Sequence, residues 1–441
     1  MHNLIDSSRR LAVRVVVWSA ICSSLFAGQV SASPPAVKGI RSTIDGMPVL
    51  RVWGEPHDRG YALGYHFGGE IVALIDAYVS NPASGGREGF DKMVAFAKTR
   101  MVIDAKYKAE LEGVVDGMRA KLGRDAKVAA LGHPLRYEDL LTFNCLPELA
   151  MLGCSSFAVW GDATADRGTL AGRNLDWHAL DGLIGSEILV VNAPTEDGSR
   201  LGWVSVTWPA FIGCLTGMNS EGVTVSMHDV SVSPPQGGKG FVPRGFALRD
   251  AIESAHASTA FEDVENVLRN RRCAVGNNIP VNRPFRAGPL PAAVFEYDGK
   301  REESDGVTVR RAQRLSYLLC TNHYVARAKP RACNRYQSID KRLAEFAREK
   351  RPVGLKEGWD LLHDVAFQGG GGRGSTITLY SVLFEPDALR MHLKVAVKNR
   401  TVADVAPITI DVSEELKELR AEVLGPLIDT RRSIDSGSPF P

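Results

Sequence analysis

Gly153-Cys154-Ser155-Ser156-Phe157-Ala158-Val159-Trp160 and, eight residues later, Thr169-Leu170-Ala171-Gly172-Arg173-Asn174-Leu175-Asp176-Trp177 mark where the chain changes character. Both stretches have strand length and β-prone residues, and Asp166-Arg167-Gly168 between them is a turn, so they read as a hairpin. Hairpin pairing returns the Arg173/Asp176 pair to the neighbourhood of the thiol that opens the first strand. An arginine beside a thiol favours the thiolate, and an aspartate there can hold an amine or orient a base. Taken one at a time, such residues are more often a buried small side chain and a solvated ion pair.

Upstream of this hairpin the pattern is helical. A short hairpin at Asp45-Gly46 and Val49 to Val52 comes first. Tyr61, Leu63, Phe67, Ile71 and Leu74 then recur at helical spacing, as do Met93, Phe96, Met101 and Ile103. Stretches 108–122 and 137–143 continue the trend. Downstream, strands are expected at 155–160, 169–174, 187–192, 201–207 and 223–230, then helices at 246–257 and 261–269. Strands return at 293–297 and 315–321, helices at 338–350 and 359–367, and a last hairpin covers 376–384 and 389–397. Strands in runs, then helices, then strands predict an α+β fold of antiparallel sheet layers covered by helices.

The chain has 441 residues, enough for two or three domains or one large one. Its 53 Lys+Arg against 51 Asp+Glu leave +2, so no charge excess points to nucleic acid or an acidic partner. A 44% hydrophobic content supports a substantial core. At the N-terminus, Arg9, Arg10 and Arg14 precede an apolar run over 15–26 and then Val30-Ser31-Ala32. That is the layout of a signal peptide over residues 1–32, too short to span a bilayer comfortably. A periplasmic or secreted protein with no stable membrane anchor is expected. Six cysteines remain after that segment, and none has the spacing of a zinc site, so no metal is expected. Gly369 to Gly372 lacks the Lys-Ser/Thr of a phosphate loop and reads as a flexible loop.

Gly153-Cys154-Ser-Ser-Phe followed by Arg173-Asn174-Leu175-Asp176-Trp177 resembles the N-terminal-nucleophile cysteine hydrolases, and most of all the isopenicillin-N acyltransferase-like family. Choloylglycine hydrolases and penicillin V acylases are more distant. The resemblance continues in order through Asp58-Arg59-Gly60-Tyr61-Ala62-Leu63-Gly64, Gly217-Met218-Asn219, Thr321-Asn322-His323 and Asn334-Arg335-Tyr336. It implies a four-layer αββα fold preceded by a largely helical pro-segment, residues 33–153. It also implies self-cleavage between Gly153 and Cys154, which makes Cys154 the nucleophile and its own α-amine the general base. Asp176 would bind that amine and Arg173 would sit beside the sulfur. Asn219 and Asn322 would donate to the oxyanion, and Arg335 would support the electrostatics. The implied activity is hydrolysis of, or acyl transfer from, a linear carbon–nitrogen amide bond of a small N-acyl compound. No metal or organic cofactor is implied, and the cleaved pro-segment would stay attached as a partner.

Two other readings use the same residues. A papain-like site would join Cys154, His323 and Asn334, although a thiol at a strand start is not the helix-borne thiol that such a site needs. An exported binding protein would keep the fold without the cleavage.

Overall fold

Two glycine-rich helices dominate the first third of the computed structural model, which describes residues 36–424 apart from 125, 149–152, 179–181, 196, 231–237, 300–305, 313–314, 329–330 and 370–374. The expected export segment, 1–32, lies outside the described residues. Strands β1 (Gly39–Ile44) and β2 (Met47–Val52) are joined by Asp45 and Gly46 at φ 47° and 83°, the left-handed pair that a tight hairpin turn requires. Helix α1 (Pro56–Ser80) starts at a proline, and α2 (Gly86–Arg100) follows it. Helix α3 (Ala105–Leu122) then packs directly against α1.

The α1–α3 crossing explains the Arg-Gly-Tyr-x-x-Gly pattern physically. A Cβ on Gly60 would lie 1.8 Å from the Glu110 carbonyl oxygen, and one on Gly64 2.0 Å from that of Val114. On the facing helix, a Cβ on Gly113 or Gly117 would lie 2.2 or 2.1 Å from the carbonyl oxygens of His57 and Tyr61. The two backbones touch, so only glycine fits. Gly64→Ala must push the helices apart and is expected to cost about 3 kcal/mol. Urea unfolding of the variant checks this, and an unchanged midpoint would contradict the crossing.

After the short pair β3 (Lys127–Val128) and β4 (His133–Pro134) and helix α4 (Tyr137–Asn144), the strands begin. They are β5 (Gly153–Trp160), β6 (Thr169–His178), β7 (Ile188–Asn192), β8 (Trp203–Thr207), β9 (Thr216–Asn219), β10 (Thr224–Ser226) and β11 (His228–Val230). Helices α5 (Arg244–Ser254) and α6 (Ala260–Asn270) come next, then β12 (Gly276–Asn282), β13 (Ala292–Tyr297), β14 (Val307–Arg311) and β15 (Tyr317–Cys320). Helices α7 (Asn334–Glu349) and α8 (Leu355–His363), strands β16 (Thr376–Glu385), β17 (Arg390–Val395) and β18 (Ile408–Asp411), and helix α9 (Val412–Leu424) complete the order.

One sheet runs β1-β2-β7-β8-β9-β10-β12-β13-β14, with β11 beside β12, and the other runs β15-β5-β6-β16-β17-β18. On the outer face of the six-stranded sheet, Phe157, Leu170, Leu319 and Leu383 pack against Ile339, Leu343, Leu361 and Leu362 of α7 and α8. Helices α5 and α6 lie on the other sheet, against β9, β10, β13 and β14. The inner faces meet where Thr216 and Tyr380 share a 2.9 Å hydrogen bond and the Trp208 ring packs on Tyr380. The result is the expected α+β architecture in four layers, αββα.

The largely helical segment that precedes Cys154 also contributes two strands to a sheet. Strand β2 runs parallel to β7, so the β1–β2 hairpin extends the ten-stranded sheet, and the described residues from Val37 onward belong to one compact unit. Val49 and Leu50 of β2 are wholly buried. The single strand expected at 223–230 is broken. Strand β10 pairs with Val281 and Asn282 of β12, β11 pairs with Gly276 to Asn278, and Met227 falls in the gap. Pro280 sits at the same gap, where a strand residue can spare its N–H.

Candidate active site

Strand alternation sorts the Arg-x-x-Asp pair. In the β5–β6 ladder Cys154 faces Leu175, Ser156 faces Arg173, and Gly153 faces Asp176. Residues directly opposite share a face, and neighbours along a strand point to opposite faces. A spacing of three therefore puts Arg173 on the inner face with the thiol and Asp176 on the outer face beside Gly153. A Cβ on Gly153 would come within 3.0 Å of the Asp176 Cβ, so glycine suits this position.

On the inner face, the Cys154 thiol donates to the Met227 carbonyl oxygen at 3.3 Å. Arg173 Nη2 donates to the same oxygen at 3.0 Å and lies 3.8 Å from Sγ. Because Met227 sits in the gap between β10 and β11, its carbonyl turns into the site. Arg173 is buried, its guanidinium lies 5.5 Å from the Tyr380 ring centre, and its Nε and Nη1 have no hydrogen-bond partner. A buried cation with spare donors beside a thiol is prepared for negative charge on sulfur. In the uncut chain, burial pushes the Cys154 thiol up to about 12 against the opposing pull of Arg173. Ser156 Oγ and His228 Nε2, 2.7 Å apart, pin β11 to β5 one step along. Burial, with Arg173 and Arg335 nearby, keeps His228 well below its ordinary pKa and so neutral.

On the outer face, Arg335 in the first turn of α7 joins the parts. Its Nη1 donates to the Cys154 carbonyl oxygen at 2.6 Å and to Asp176 Oδ2 at 2.9 Å, and its Nη2 donates to Asn322 Oδ1 at 2.7 Å. The Cys154 backbone N–H donates to the same Asn322 oxygen at 2.8 Å, while Asn322 Nδ2 donates to the Asp229 carbonyl at 2.8 Å. Thr378 Oγ1 donates to Asp176 Oδ1 at 2.6 Å. Burial raises the Asp176 carboxyl to about 6, against the lowering effect of Arg335, Thr378 and Arg173.

Five of the six residues singled out in the sequence meet here: Cys154, Arg173, Asp176, Asn322 and Arg335. Asn219 does not join them, which corrects its expected oxyanion role. Its Nδ2 donates to the Ile252 and Ala255 carbonyls at the end of α5, and its Oδ1 accepts the backbone N–H groups of Glu221 and Val223. It closes a turn and clamps a helix end, and its own backbone N–H goes to the Val223 carbonyl. His323 turns to Thr321 Oγ1 and the Tyr336 ring. Among the described residues no imidazole is hydrogen-bonded to Sγ, and none of their His/Cys/Asp/Glu groups has the arrangement of a metal site. Met227, Thr378 and Asp229 were not legible as site residues: two act through backbone carbonyls, and Thr378 comes from a strand about 200 residues away.

The model of the acyl-coenzyme A:6-aminopenicillanic acid acyl-transferase family matches residues 163–400, more than half of the chain, and the chain belongs to this family. The match begins after Cys154. Protein dcd1B of Dictyostelium discoideum is 26% identical over 265 residues, which cover 56% of this chain and 50% of that protein. An uncharacterized protein of Archaeoglobus fulgidus is 24% identical over 258 residues, 52% of this chain and 40% of its own length. The chain thus spans half or less of the curated relatives it matches. Among solved structures, an N-acylethanolamine-hydrolyzing acid amidase ortholog of Caenorhabditis elegans overlaps with a TM-score of 0.41 at 18% identity, over 53% of this chain and 93% of that one. Penicillin V acylase of Agrobacterium tumefaciens overlaps with a TM-score of 0.40 at 14% identity, over 59% and 89%.

Proposed function

We propose that this chain is an exported, self-processing cysteine amidohydrolase or acyltransferase that cuts itself between Gly153 and Cys154. One observation carries this reading. Each part of Cys154 is held separately: its N–H by Asn322, its carbonyl by Arg335 and its thiol by Met227 beside Arg173. Sγ would attack the Gly153 carbonyl carbon, the bond from that carbon to the Cys154 nitrogen would break, and water would hydrolyse the resulting thioester. The freed α-amine, with an ordinary pKa near 7.7–8.0, is closely matched to a thiol near 8.5 and can take its proton. The same thiol would then attack the carbonyl of a linear N-acyl amide, expelling the amine and passing the acyl group to water or to a second amine.

The cleaved segment would stay bound. Its β1–β2 hairpin is part of a sheet, and Arg249 of α5 reaches Glu110 of α3 at 2.8 Å where both are buried. The test of function is an activity panel on purified protein: penicillins, acyl-homoserine lactones, bile-acid conjugates, N-acyl amino acids, and acyl-coenzyme A with 6-aminopenicillanic acid. Release or transfer of an acyl group, lost on thiol alkylation, supports the reading. Inertness of the cut protein towards every amide contradicts it.

Asp176 ties self-cleavage to pH. Its folded pKa is raised above the ordinary value near 3.9, so its contribution to stability is full below about 4 and lost as pH rises through about 6. The carboxylate is the form that pairs with Arg335 beside the scissile bond. Self-cleavage of freshly translated chain is therefore expected to speed up as pH rises through about 6, where the uncut fold loses this increment of stability. Gel time courses between about pH 4.5 and 8 read it, and a flat profile removes Asp176 ionisation from the step.

A further inference from the structure

We infer that Glu296 is a positioning residue for the reaction, acting through Asn322; this rests on the site reading above. Asn322 lies in the connection between β15 and α7, a place where loops are usually mobile. Here the loop is tied down from β13. Glu296, with no exposed surface, projects from β13 beneath residues 325–327. Its Oε1 accepts the N–H groups of Val325 at 2.8 Å and Ala326 at 3.0 Å, and its Oε2 accepts those of Ala326 at 2.9 Å and Arg327 at 2.7 Å. Arg310 Nε lies 3.3 Å from Oε1 and balances the charge, while Arg310 Nη2 donates to the Leu319 carbonyl just before the loop. Asn278 Nδ2 adds bonds to the Thr321 and His323 carbonyls, on either side of Asn322.

Three consecutive backbone N–H groups converge on one point, and only an anion with two acceptor oxygens satisfies them all. A neutral glutamine of the same shape would turn an NH2 towards N–H groups. It would leave donors unpaired in a buried place, and the loop would shift to recover them. A shift at residues 325–327 moves Asn322, whose oxygen holds the Cys154 nitrogen and the Arg335 guanidinium. Misplacement on that scale costs on the order of 10-fold to 100-fold in rate without removing any reacting group.

The experiment is a double-mutant cycle of Glu296→Gln and Asn322→Ala, read both as the rate of self-cleavage and as steady-state kinetics on the cut enzyme. Glu296→Gln is expected to lower both rates with KM nearly unchanged. The double variant should be no slower than Asn322→Ala alone, because Glu296 acts only through that amide. Losses that multiply, or wild-type rates in Glu296→Gln, overturn the inference. A normal Asn322→Ala enzyme instead removes Asn322 from the site, and with it the reading on which this rests. If Glu296→Gln does not fold, Glu296→Asp takes its place. It keeps the charge opposite Arg310 but draws the oxygens back, and the same non-additive loss is expected; thermal melts confirm that each variant is folded.

Discussion

Cys154→Ala is expected to yield a folded, single uncut chain whose turnover is at least about 10⁴-fold below wild type, the scale seen when a nucleophile is deleted. The argument is local. Cys154 has no exposed surface, and its sulfur makes only weak bonds, to the Met227 carbonyl and from Arg173 Nη2, so a smaller apolar side chain leaves the β5–β6 ladder intact. What disappears is the sulfur, and with it both the attack on Gly153 and the attack on substrate. A melting temperature within a few degrees of wild type, one band on a denaturing gel and no amide cleavage are expected together. Two bands in this variant would mean that something other than this thiol cuts the chain. Full turnover would place the nucleophile elsewhere.

Asn322→Ala is expected to lower turnover by roughly a hundredfold to a thousandfold, the usual cost of losing one fixed amide from an acyl-transfer site. In the uncut chain the Asn322 oxygen accepts from the Cys154 nitrogen and from Arg335, and its Nδ2 donates to the Asp229 carbonyl. Once that nitrogen is a free amine, the same side chain would orient it and offer an N–H to the tetrahedral oxyanion. These interactions would strengthen in the transition state, so KM should change much less than kcat. Steady-state kinetics on cut protein decide the matter: normal turnover, or a loss confined to KM, would remove Asn322 from the mechanism.

The part of the site carried by the β5–β6 hairpin was legible from local rules, whereas Asn322 and Arg335 were reached only through the family resemblance. The strand–turn–strand pattern around Asp166-Arg167-Gly168 placed Arg173 and Asp176 near the thiol, and alternation then divided them between faces. Asn219 misled because an asparagine beside glycines serves a turn as readily as a catalyst, and only the carbonyls of α5 show which task it has. Strand β12 was missed because Gly-Asn-Asn-Ile-Pro-Val-Asn has poor strand propensity. It is held as a strand by β13 from Asn277 to Asn282 and tolerates Pro280 at the break between β10 and β11. Helix α1 was visible from its apolar spacing, but its tight contact with α3 was not, because glycines carry no hydrophobic signal. The role of Glu296 was likewise invisible, since its partners are backbone groups about 30 residues further on.

The account turns on whether the backbone is cut where Asp176 faces Gly153. Intact-mass analysis of the active protein with N-terminal sequencing of its fragments measures this directly. The expected result is two tightly associated chains, the larger beginning at Cys154. A fully active protein in which Gly153 and Cys154 remain joined would contradict it, because no α-amine would then exist to act as the base.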